Sequence, residues 1–245
     1  MAGQVTLAAV SGEWGGLVRP ASSPLPADER TLPVLAPLRG LLPSRGLRRG
    51  STVAVGPGWP APSGNTSLVF ALLAEASKAG SWCAVVGLPA LGAVAAADTG
   101  IVLERLALVP NPGPEWATVA AALIDGVDVV VIAAPGTVSA AIASRLAARA
   151  RQRGSVLVPY GRWEGADVTL RVTRGRWDGL GDGHGRLRRR EVTIVAQGRG
   201  AAAQPKEITV WMPTTGTGPR GPVVPVVPVA DAPRPRLALI QGDLG

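Results

Sequence analysis

Residues 56–67, GPGWPAPSGNTS, combine glycines and hydroxyls at a spacing that points to phosphoryl chemistry. They lie between an apolar run, STVAVG (51–56), and a helix-patterned run, NTSLVFALLAEASKA (65–79). A phosphate-binding loop occupies that place between a strand and a helix, with the working pattern GxxxxGK[ST]. Its backbone N–H groups cradle phosphates, its lysine reaches the terminal phosphates and its hydroxyl holds magnesium. Gly64 and Thr66 are in register with the pattern, but Asn65 stands where the lysine belongs. The five residues between Gly58 and Gly64 are one more than the pattern has, and they include Trp59, Pro60 and Pro62. Proline has no N–H to offer a phosphate. Loss of one preorganised charged donor costs about 10²–10³ in rate. Gly56, Gly58, Gly64, Asn65, Thr66 and Ser67 therefore read as a degenerate nucleotide loop, in preference to a plain turn capped by Asn65 or Thr66.

Other chemistries have little to work with. Cys83 is the single cysteine, which excludes an intramolecular disulfide and a cysteine zinc cluster, and His184 is the single histidine, which argues against a histidine metal site and a Ser-His-Asp triad. Ser144, Asp125 and Asp128 have no histidine partner, and Asp128 reads as the opening of a strand. Asp182 and His184 lie in GLGDGHG (179–185), which reads as a glycine-rich turn and not a metal site. Cys83, mid-strand, reads as a buried, inert thiol. No metal and no cofactor is expected.

The elements that would position the loop follow from periodicity. Strands are predicted at 51–56, 82–87, 105–109, 128–132 and 155–159, and helices at 65–79, 90–98, 115–124 and 138–152. Near-continuous apolar strands alternating with helices mean βαβ units and a parallel sheet covered on both faces. After residue 160 the pattern changes. Segments 167–174, 191–197 and 207–211 alternate apolar and polar without helices between them, which predicts antiparallel strands with one wet face. Leu32, Leu35, Leu38 and Leu42 have helical spacing, which predicts a short helix over 32–42 docked on the core, weakened by Pro33 and Pro37.

The 245 residues, 47% of them hydrophobic, suit one mid-sized domain with tails. Residues 1–30 read as a flexible arm, 31–213 as the folded domain and 214–245 as a disordered tail rich in proline and arginine. The tail's PVVPVVPV (222–229) favours polyproline II. A formal charge of +8 favours acidic partners or nucleic acid without proving either. Without a secretory leader or a long apolar run, the chain reads as cytoplasmic and soluble, with no membrane contact.

The segment STVAVGPGWPAPSGNTSLVFALLAEASKAGSWCAVVG, with the stretch that follows it through DVVVIAAPG, resembles the RecA family over roughly residues 45–212. The resemblance implies an α/β fold with a RecA-like P-loop core, a mostly parallel sheet and antiparallel edge strands toward the C-terminus. It also places two further losses. The strand DVVVI should end in a magnesium-binding aspartate where Ala133 stands, and WCAVVG should lead to a water-activating glutamate where Pro89 stands. With Asn65, that makes three losses together, so no catalysis is expected. Within the RecA-like group, LPVLAPLRGLLPSRGLRRGSTVAV, GSWCAVVGLP and GRWDGLGDGHGRLRRREVTI resemble the actinobacterial ImuA-prime type of mutasome accessory protein. That likeness implies a non-catalytic part in translesion synthesis after DNA damage. The implied partners are a catalytically inactive Y-family polymerase homologue (ImuB-like) and an error-prone C-family polymerase.

Surfaces remain to be assigned. Arg186, Arg188, Arg189 and Arg190 precede the strand EVTIVAQ, with Arg188 and Arg190 in phase with Val192 and Ile194. They are candidates for contact with a partner or with DNA. Trp163, Trp177 and Trp211 flank the antiparallel region and read first as packing, with Trp211 kept as a candidate contact. Arg234, Arg236 and Leu237 in the tail form a candidate short binding motif. The alternative function is a DNA-binding or RecA-modulating module that uses its arginine-rich surface.

Overall fold

The computed structural model describes residues 30–57, 64–181, 184–212 and 227–228, with side chains described except at 177–181, 184–189 and 227–228. A short antiparallel pair, β1 (Thr31–Leu32) and β2 (Leu47–Arg48), brackets a 3-10 helix at Ala36–Leu41. The parallel part follows: β3 (Val53–Val55), α1 (Asn65–Lys78), β4 (Cys83–Val86), α2 (Ala93–Asp98), β5 (Leu106–Val109), α3 (Trp116–Gly126), β6 (Val129–Ile132), α4 (Ala140–Arg153) and β7 (Val156–Pro159). Then come β8 (Val168–Gly181), β9 (His184–Gly198), β10 (Lys206–Met212) and β11 (Val227–Pro228).

The strands β5-β4-β6-β7 pair in parallel in that order. β3 pairs in parallel with β8, and β8, β9, β10 and β11 continue antiparallel. The two groups meet at β3. Leu157 N–H donates to the Ser51 carbonyl at 3.0 Å, and Gly161 N–H to the Val55 carbonyl at 2.8 Å. β3 thus lies between β7 and β8, and the fold is a mixed α/β sheet with parallel and antiparallel portions.

Alternation sorts the side chains of the parallel strands onto two apolar layers. Cys83, Val85, Val129, Val131, Val156 and Val158 pack with α1 on one face. Val86, Val130, Ile132 and Leu157 pack with Ala120 and Ile124 of α3 and Leu146 and Ala150 of α4 on the other. Every residue of β4, β6 and β7 is buried, as a sheet covered on both faces requires. Full burial of each Val or Leu stabilises by about 1.5–3 kcal/mol. Helix α4 starts at Ser139, whose Oγ accepts from Ile142 N–H at 3.4 Å, and stops at Gly154 with φ 71°. Arg149 and Arg153 from its last turns hold Asp125 of α3, so the two covering helices are tied at one end.

Three expectations need correction. The helix predicted over 32–42 is a 3-10 helix limited to Ala36–Leu41, because Leu42, directly before Pro43, is extended and ends the run after six residues. The leucines nevertheless dock as predicted: Leu32, Leu35, Leu38 and Leu42 all join the core. The strands expected at 167–174 and 191–197 extend into a long hairpin, β8 and β9, because backbone pairing continues where the apolar alternation stops. Finally, Arg190, expected on the surface, is 8% exposed. It shares the phase of Val192 and Ile194, and that phase faces inward.

Candidate functional site

The loop begins where β3 ends. Gly56 is held to the neighbouring strand by its N–H donating to the Leu170 carbonyl at 2.8 Å. The chain re-enters at Gly64, the N-cap of α1, with φ 111°, a conformation that favours glycine. Asn65 opens the helix. Its side chain is turned inward, 3% exposed, and Nδ2 donates to the Gly56 carbonyl at 3.1 Å. The amide ties the two ends of the loop together from inside, whereas a lysine there would project toward a phosphate. Asn65 Oδ1 is buried and accepts no hydrogen bond among the described residues. Thr66 and Ser67 are partly exposed in the first turn, and Gly58 lies outside the described residues.

Two arginines flank the loop. At Gly56 a β-carbon would lie 3.2 Å from Arg171 Cγ, and at Gly64 one would lie 3.2 Å from Arg190 Nη1. Arg171 follows directly from register: β3 and β8 pair Val55 with Leu170, so the next residue reaches Gly56. The sequence reading did not single out Arg171, because the register that places it is invisible before the strands are paired. Arg190 arrives from β9 across Gly175, where any β-carbon would overlap the guanidinium. The helix N-terminus and the two guanidinium groups form a positive surround.

Positions 89 and 133 lie beyond the ends of β4 and β6, which are adjacent in the sheet. Pro89 is exposed and Ala133 half-buried. Gly87, at φ 77°, fits against the Ala133 carbonyl so closely that a β-carbon would overlap it. The strand ends thus meet backbone to backbone with no carboxylate at either position. Among the described residues no group of three His, Cys, Asp or Glu is placed to hold a metal. The arrangement offers fixed positive charge but no acid at these positions to bind a metal or activate water.

The remaining candidates scatter. Arg186, Arg188 and Arg189 lie on β9, with Arg189 opposite Asp178, and their side chains are outside the described set. Trp211 is half-buried on β10, opposite Glu191. Trp163 packs on the layer made by α3 and α4. Arg234, Arg236 and Leu237 lie outside the described residues. Cys83 is fully buried, and burial, helped by the nearby Asp128 charge, pushes its thiol up to about 12. Asp128 itself holds Arg49 at 2.7 Å and accepts from Trp82 N–H at 2.9 Å. Among the described residues no helix is long and apolar enough to cross a membrane.

Two comparisons locate the chain among known proteins. The sequence is similar to the protein named "Uncharacterized protein Rv3395c" of Mycobacterium tuberculosis (strain ATCC 25618 / H37Rv), 41% identical over 131 residues. That match covers 50% of this chain and 64% of the relative, so this chain spans somewhat less than two thirds of the relative's length. The family model described as the MT3502 N-terminal domain matches residues 40–165, from the 3-10 helix through β7 and so across the loop, both flanking strand ends and all four helices. With more than half of its residues inside that match, the chain belongs to the MT3502 N-terminal domain family.

Proposed function

We propose that the chain is a non-catalytic, RecA-like accessory protein of the mutasome that carries out translesion synthesis after DNA damage. It acts by binding an inactive Y-family polymerase homologue, beside an error-prone C-family polymerase. The observation that carries the non-catalytic reading is the Asn65 amide, buried and hydrogen-bonded to the Gly56 carbonyl at 3.1 Å. A neutral side chain spent on closing the loop cannot stabilise charge developing on a transferred phosphoryl group. The RecA-like reading of the fold is supported by a strand–loop–helix unit whose strand, β3, stands inside the sheet with parallel neighbours on both sides.

Two measurements test the reading. Purified protein with magnesium and ATP is expected to release no phosphate above background. Turnover that disappears in Thr66→Ala would overturn the non-catalytic reading. The chain cut after Pro213 is expected to keep the unfolding transition of the intact protein and to lose co-purification with the Y-family homologue. Retained co-purification would move the contact off the tail.

A further inference from the structure

The opposite end of the central strands, away from the loop, holds a cleft of about 430 Å³. Three distant segments build it: the turn and strand entry from Leu42 to Val53, the start of β8 at Asp167 and Val168, and the end of β9 with Arg199 and Ala201. Its floor is apolar, made by Leu42, Val53 and Val168, with Val53 and Val168 paired across the first rung of the β3–β8 ladder. The turn forming one wall contains Arg45, at φ 53° the one non-glycine among the described residues with positive φ. Behind that turn, Gly46 presses on β1 so closely that a β-carbon would overlap the Leu32 carbonyl.

Two arginines and one aspartate carry the charge around the cleft. Arg48 and Arg199 are exposed and line the cleft, and Arg45 is exposed beside it. Three nearby arginines are paired: Arg49 with Asp128, and Arg149 and Arg153 with Asp125. Arg48 and Arg199 have no carboxylate partner among the described residues. Arg199 donates from Nη2 to the Gly165 carbonyl instead. Asp167, the one acid lining the cleft, is committed to Thr52 N–H at 2.9 Å.

We infer that this cleft is a docking site for an acidic peptide segment of a partner protein, one apolar side chain entering between Leu42, Val53 and Val168 while flanking carboxylates meet Arg48 and Arg199. Arginine forks suit carboxylates through paired N–H donors. A nucleic-acid backbone fits less well. It has no apolar group for the floor. The inference extends the interaction role proposed above by naming a partner chemistry, but it stands on the cleft alone and does not involve the tail.

The test is selection of a displayed library of random short peptides on the full chain, followed by affinity measurements with fluorescein-labelled winners. Sequences enriched in Asp and Glu around one apolar residue are expected. Their binding should weaken about tenfold in Arg48→Glu and again in Arg199→Glu. Ala201→Trp, which fills the cleft and keeps its charge, should abolish binding. Arg48, Arg199 and Ala201 are all exposed, so unfolding transitions should match the parent and separate lost docking from lost fold. Winners without acidic enrichment, or winners that bind Ala201→Trp normally, would overturn the inference. So would labelled oligothymidylate that binds more tightly than the peptides and depends on Arg48. The chain cut after Pro213 should still bind the selected peptides, which keeps this result distinct from the tail assignment.

Discussion

The two halves of the sheet solve the burial problem differently. In β4, β6 and β7 every residue is buried, and helices cover both faces. In β10 the pattern alternates, with Ile208, Val210 and Met212 buried and Glu207, Thr209 and Trp211 half-exposed between them. The inner parallel strands therefore face no water along their length, although the edge strand β5 is partly exposed, while the antiparallel half keeps a wet face. A strand buried on both sides specifies its fold more tightly, and a strand buried on one side leaves surface for contacts.

The sharpest way to break this contrast is at the closest approach in the parallel half. Gly87→Ala should cost more than about 4 kcal/mol or prevent folding, because the new β-carbon overlaps the Ala133 carbonyl at a positive φ. A denaturation curve near that of the parent would show that β4 and β6 can move apart.

Next in size is a comparison between strands. Leu157→Ala and Ile208→Ala, one buried position from each half, should each lose about 2–5 kcal/mol. Glu207→Ala, the neighbour of Ile208, should lose about 0.5 kcal/mol or less. Equal losses at 207 and 208 by urea titration would mean that the outer face of β10 is covered after all.

A smaller effect separates the halves by pH. The Cys83 thiol, inside a parallel strand, is held up to about 12 by burial and the Asp128 charge. Because its folded pKa lies above its unfolded value of 9.0, stability is unaffected below about pH 9 and falls as pH rises toward 12. The slope there is about 1.4 kcal/mol per pH unit. Native protein at pH 8 should leave a thiol-reactive disulfide reagent unreacted until denaturant is added. Rapid labelling of native protein would contradict a closed parallel half.

The smallest effect lies on its covering helices. Arg149, by hydrogen bond and charge, with Arg153, holds the Asp125 carboxyl down to about 2 from an ordinary 3.8. The folded value is depressed, so the contribution of this contact is complete above about pH 4 and disappears as pH falls through about 2. Asp125→Asn should leave the unfolding transition at pH 7 nearly in place and flatten the acid side of the stability profile. Asp125 is solvent-facing, and screening by water keeps the effect small.

Most of the parallel half was legible because its signals are local. The helix predicted at 65–79 forms as Asn65–Lys78, and the strand expected at 128–132 as Val129–Ile132. Apolar runs bounded by glycine carry that information within a few residues. The β8–β9 hairpin was only half legible, since the alternation stops at Arg174 and 179–185 reads as a glycine-rich turn, and only pairing with the opposite strand extends the stretch between. Arg190 was misplaced although its phase was visible, because a charged residue in an apolar phase is read as surface until a cradle such as Gly175 and Gly64 is seen around it. The loop was found from glycine and hydroxyl spacing, but the inward turn of Asn65 depends on the Gly56 carbonyl across it. The cleft at Arg48 and Arg199 left no trace in the sequence, because its walls are more than a hundred residues apart and meet only through the β3–β8 pairing.

That pairing also sets an order of assembly. β3 is the first long-range strand to leave the ribosome, yet one of its neighbours, β7, is more than a hundred residues behind it and the other, β8, follows later still. The centre of the sheet must wait: Val53–Val55 gain a first neighbour only after Gly161 is made and the second only after Leu170. A recombinant piece ending at residue 165, where the family match stops, would keep all four helices but leave β3 as a bare apolar edge beside β7. Such a piece should self-associate through that edge, and restoring β8 should return it to solution.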